Sequence, residues 1–155
     1  MLLLRDVPAA AVADLLARHG LRLARVADGA PIPGSYWGEH EAGLVGHTVY
    51  ARADTPLHSL LHEASHLIVK PIADRGAVHT NASDCVAEED ATCYLQILLA
   101  DAVPGAGRER LMADMDAWGY SFRLGSARAW FERDAEDARE WLRARGLLPD
   151  LPAQA

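Results

Sequence analysis

The sequence predicts an α+β fold, with a small sheet in the N-terminal half and a run of helices after it. Three observations lead there. Beyond residue 55, apolar residues recur at helical spacing in four separate stretches. Two other runs, 21–26 and 43–52, alternate with period two instead. The chain has 155 residues, half of them hydrophobic and 24% charged, which is enough for one core and too little for two. Residues 1–155 therefore read as a single domain, with 149–155 as a loose tail.

The elements follow in order. A first helix starts near Pro8, with Val12, Leu15, Leu16 and His19 as its stripe and Gly20 at its C-cap. Leu21 to Val26 alternates as a strand. The Gly- and Pro-rich stretch 28–38 is a loop. Gly43 to Arg52 reads as one extended strand. Asp54 or Thr55 then caps a helix whose first position is Pro56 and whose apolar face is Leu57, Leu60, Leu61, Ala64, Leu67 and Ile68. Pro71 ends it. Residues 72–86 lack periodicity and read as a long loop, a length often tied to function. A strong helix spans Ala87–Ala100. Two more cover 108–117 and 127–145, the last capped by Ser126 and ended by Gly146.

Composition excludes several classes. Fifteen basic against 22 acidic residues leave a net charge of −7, which disfavours nucleic acid as a partner. No apolar run is long enough for a signal peptide or a bilayer span, so a cytoplasmic protein without a membrane partner is expected. Cys85 and Cys93 are too few for a disulfide scaffold and read as reduced thiols. Fourteen arginines against the single Lys70, with many alanines, suggest a GC-rich genome more than a function.

Chemistry concentrates in residues 62–66, His-Glu-Ala-Ser-His. On a helix, His62 and His66 lie one turn apart on one face, so two imidazoles can grip one Zn²⁺ at about 2.0–2.1 Å. Glu63 is rotated by about 100° from His62, which aims it at a water and suits it to act as general base. Composition alone would produce this pattern in about 2% of shuffled chains. The alternative, a solvated polar patch, fits badly with the apolar and small neighbours Leu60, Leu61, Ala64, Leu67 and Ile68.

Two nitrogens are too few, so a third ligand is needed. Six residues past His66 stands Ile72, which removes a third histidine at that spacing. Glu88, Glu89 and Asp90 open the next helix. Glu88 shares a face with Ala91 and Leu95 and is the preferred ligand, with Glu89 second. Asp90 reads as a carboxylate complementing the helix dipole.

Together, HEASH and Glu88-x-x-Ala91 resemble the gluzincin branch of the zincin metallopeptidases. The chain is similar there to the small bacterial ImmA/IrrE-like peptidases, over about residues 44–104. The resemblance implies a zincin-like domain with a strand, an HExxH helix and a second ligand helix. It implies one Zn²⁺ per chain, held by His62, His66 and Glu88, with Glu63 as base. Thr92 stands where that pattern has Asn, and no appended DNA-binding or sensor domain is expected.

Other residues carry weaker readings. His58, one turn before His62, reads as an exposed first-turn residue or a group at the cleft mouth. His79 and Tyr94 are candidate oxyanion donors, each with a plainer reading as loop and core residue. Asp84 either orients a ligand histidine or caps the following helix. Cys93 reads as small and apolar. The expected function is a zinc-dependent metallopeptidase making limited cuts in a protein or peptide, which would add as a strand along 43–52. The rival is a zinc-stabilised regulatory or binding module, with a fourth protein ligand from His58, His79 or Asp84. Oligomeric state and substrate identity are not legible.

Overall fold

A computed structural model describes residues 1–35, 39–80 and 85–148. Its elements are α1 (Ala9–Arg18), β1 (Arg22–Val26), β2 (Gly43–Val45), β3 (Thr48–Arg52), α2 (Leu57–Ile68), α3 (Ile72–Arg75), α4 (Val86–Leu99), α5 (Arg108–Trp118), α6 (Ala127–Arg133) and α7 (Glu136–Ala144). The mixed α+β class is as expected. The tail 149–155 lies outside the described residues.

The expected single strand 43–52 is a hairpin. Gly46 and His47 form its turn, and Gly46 has φ +60, which costs glycine nothing for want of a Cβ. β3 becomes the central strand of a three-stranded sheet, order β1-β3-β2. It pairs parallel with β1, Leu23 opposite Val49, and antiparallel with β2, Leu44 opposite Val49. A single alternating strand would put Leu44 and Val49 on opposite faces, whereas the two-residue turn pairs them and buries both on one face.

The outer edge of β2 is also occupied. Leu44 N–H donates to Gly34 O (3.2 Å), Thr80 N–H to Leu44 O (2.9 Å) and Gly46 N–H to Val78 O (2.7 Å). A peptide therefore cannot add along 43–52 without displacing chain that is already paired there. That corrects the expected docking edge.

α2 packs on β3 and on α4. It begins one residue later than expected, with Pro56 as N-cap. Thr55 does not cap it: its Oγ1 accepts from Arg52 N–H (2.9 Å), while Asp54 takes the Arg52 guanidinium. The stretch after α2 is not all loop, since α3 occupies Ile72–Arg75. Its Arg75, although buried, has no carboxylate partner among the described residues. Its Nη1 donates to His19 O (2.8 Å) and its Nη2 to Ile68 O (3.3 Å), so one guanidinium satisfies carbonyls at the C-terminal ends of α1 and α2. These bonds hold the far end of the motif helix.

The expected helix 127–145 breaks at Asp134 and Ala135. The Asp134 carboxylate takes the Arg123 guanidinium, and the backbone leaves helical geometry there. The break gives two core-facing surfaces, Trp130 on α6 and Ala138 with Leu142 on α7, which one straight helix could not turn inward together.

Candidate metal centre

α2 and α4 pack directly against each other. The approach brings His62, His66 and Glu89 into one group whose ligand atoms all lie within 4.8 Å of one another. His62 Nε2 stands 3.2 Å from Glu89 Oε2, and His66 Nε2 stands 3.0 Å from Glu89 Oε1. The two imidazoles meet edge to face at 4.7 Å.

The carboxylate that joins the two histidines is Glu89 and not the preferred Glu88. Successive helical residues differ by about 100°, so only one can face α2. Glu88 points to Lys70 Nζ, 3.4 Å away. Its apolar companions Ala91 and Leu95 misled because α4 also packs on α5 and α7 and is buried on several sides. Facing α2 instead are Glu89, Cys93 and Gln96, at i, i+4 and i+7.

The donor set fits a zinc ion. Tetrahedral ligands at about 2.0–2.1 Å from a metal lie about 3.3 Å apart, close to the nitrogen–oxygen separations here. Burial alone would raise the Glu89 pKa, but hydrogen bonds from His62 and His66 outweigh it and hold the carboxyl well below its usual range. Burial likewise opposes charge on His62. Tyr120, Cys93 and Glu89 around it prevail and raise its pKa well above the ordinary value.

Gln96 orients the first histidine. Its Nε2 donates to His58 O (3.0 Å) and to the Tyr120 hydroxyl (3.4 Å), so its Oε1 faces His62 Nδ1 at 2.7 Å. An amide oxygen only accepts, which keeps a proton on Nδ1 and makes Nε2, once its own proton is lost, the nitrogen that would take a metal. Gln96→Leu is therefore expected to weaken zinc affinity about 10–100-fold, the usual range for losing an outer partner. Competition against a chromophoric chelator measures it. Unchanged affinity would remove Gln96 from this role.

Glu63 stands outside the ligand group. Burial raises its pKa, partly offset by His62 and His66. A carboxylate lifted in this way is better matched to taking and returning a proton near neutral pH.

The remaining expectations divide. His58 is 1% exposed, not an exposed first-turn residue, and its Nδ1 meets the Tyr120 hydroxyl at 3.1 Å. Burial pulls its pKa down to about 4, so it is neutral. Tyr94 is not at the site. It stacks on Phe131 at 4.5 Å and meets Trp130 edge-on, inside the core. His79 is exposed and bonds Thr80 Oγ1 (2.9 Å) rather than joining the ligand group. Asp84 lies outside the described residues. Cys93 is buried as expected, but its Sγ is 3.9 Å from Glu89 Oε2, beside the ligands.

Sequence reasoning missed Gln96 and Tyr120. An amide inside the otherwise apolar run Tyr94-Leu95-Gln96-Ile97-Leu98-Leu99 was a usable signal for the first. Tyr120 carried none. Burial pushes its hydroxyl up to about 12, so it stays protonated as a donor.

Fold and site together define a class: an α+β chain with a two-helix His-His-Glu group able to bind a metal ion. In comparison with known proteins, the chain matches no family model, no curated protein and no solved structure. No helix among the described residues is long and apolar enough to cross a membrane.

Proposed function

We propose that this protein is a zinc-dependent hydrolase of the zincin type, acting on a peptide bond in a protein or peptide. The observation that carries the reading is the convergence of His62, His66 and Glu89 with Glu63 one residue from a ligand but outside the group. A bound Zn²⁺ supplies Lewis acidity, polarising a carbonyl and making water acidic enough to react near neutral pH.

The chain's own residues do the rest. Glu63 takes a proton from the attacking water at its carboxylate and returns it to the leaving amine. Gln96 keeps the His62 ring in one tautomer and one orientation. Tyr120, held by His58 and Gln96, fixes the amide that does so.

One observation favours a second reading, a zinc-stabilised module without hydrolysis. The Cys93 thiol beside Glu89 is a fourth donor which, as a ligand, would close the centre. Cobalt substitution separates the two. The hydrolase reading expects a metal spectrum without a sulfur-to-cobalt charge-transfer band, together with cleavage of an unfolded protein substrate that a chelator stops and zinc restores. A sulfur band with no cleavage of a broad peptide library would establish the module. A protein that takes up no metal would end both readings.

A further inference from the structure

A second hollow, of about 390 Å³, is bordered by α4, α6, α7 and the first residue of α5. Its wall carries Arg108, Arg133 and Arg139 beside Tyr94, Leu98 and Phe131. None of His62, His66 and Glu89 lines it. Three of the fourteen arginines thus converge on one concavity, in a chain whose net charge is −7.

These charges are answered only in part within the chain. Arg108 is held in direction: its Nε and Nη2 both reach Asp101 Oδ2 at 2.7 Å. Its guanidinium lies 5.3 Å over the Phe131 ring, which stacks on Tyr94 at 4.5 Å. Arg133 is exposed and Arg139 half-buried, and neither enters an ion pair among the described residues. Two carboxylates share the wall. Glu132 stands 3.6 Å from Arg128 Nε, which leaves Glu136 as the one acidic side chain there without an ion pair among the described residues. Two unpaired guanidinia against one unpaired carboxylate keep the hollow positive.

A guanidinium is a planar fork of donors with no acceptor, and its geometry matches phosphoryl and carboxylate oxygens. Three of them can meet the three oxygens of a phosphate monoester, which also brings close to two negative charges. Tyr94, Leu98 and Phe131 give the same hollow an apolar flank. Its volume falls in the range of about 300–1,000 Å³ usual for small-molecule sites.

We propose that this hollow binds a phosphate monoester with an apolar body, the phosphoryl group held by Arg108, Arg133 and Arg139 and the body lying against Tyr94, Leu98 and Phe131. The site is separate from the metal centre and does not rest on the hydrolase reading.

Phenyl phosphate, inorganic phosphate and benzoate, titrated calorimetrically into the full chain, test it. Phenyl phosphate should bind about tenfold more tightly than either of the others, for its ring in the first comparison and for its charge in the second. Arg133→Gln and Arg139→Gln should each weaken phenyl phosphate by about tenfold or more, as for one lost charge-assisted hydrogen bond. Glu136→Gln, which removes the opposing carboxylate, should tighten it. Glu89→Gln should leave it unchanged. Loss of binding in Glu89→Gln would place the phosphate on the metal and overturn the proposal. Absence of binding to wild type, which needs no variant, overturns it too, and so does an affinity that both arginine variants leave intact. Benzoate or inorganic phosphate binding as tightly as phenyl phosphate overturns the assignment to a monoester.

Discussion

Glu63→Gln is expected to keep the metal and the fold while losing about 10²–10⁴-fold in hydrolysis, the usual worth of positioned proton transfer. Amide for carboxylate preserves size and hydrogen-bonding reach but cannot accept a proton. Because Glu63 lies outside the ligand group, zinc stoichiometry should stay that of wild type. Removing a carboxylate whose pKa is raised chiefly by burial should not destabilise the fold. The assay compares cleavage, zinc content and thermal unfolding side by side. Parallel loss of zinc and activity would make Glu63 a ligand. Unchanged activity would remove it as base.

The second large effect separates two adjacent residues. Glu89→Gln should lower zinc affinity by more than about 100-fold, beyond the range seen for an outer partner, since it removes the one anionic ligand. Glu88→Gln should leave affinity near wild type. It breaks only the 3.4 Å contact with Lys70, worth less than about 1 kcal/mol of stability. Both variants are titrated against the same chelator. Comparable losses, or a loss confined to Glu88→Gln, would refute the geometry of α4.

The two predictions differ in origin. Glu63, His62 and His66 were legible in the sequence because their relation is local. Four residues make one turn of any α-helix, so the shared face of the histidines needs no knowledge of the rest of the chain. The mixed α+β class was legible for the same reason, since periodicity is local, and so were α1, β1 and the start of α4 to within a residue or two. Element breaks were less so. Gly46 looked like one more residue of an alternating run, and Asp134 like one more polar position in a helix. The first break follows from β2 folding back on β3 across a two-residue turn, and the second goes with Arg123 reaching Asp134 from another segment.

The rest belongs to tertiary structure alone. Glu88 and Glu89 are equivalent to any rule based on composition or dipole, and only the rotation of α4 against α2 chooses between them. That rotation is set by packing on three sides at once, because α4 meets α2, α5 and α7. The partners of His62 and His58 come from 34 and 62 residues away, which no local pattern reports. What the sequence determined by itself was that a helix carries two histidines one turn apart and which of its side chains face together. Which carboxylate joins the two histidines and which amide orients His62 were decided when the helices packed, since a ligand group is a property of distances between elements.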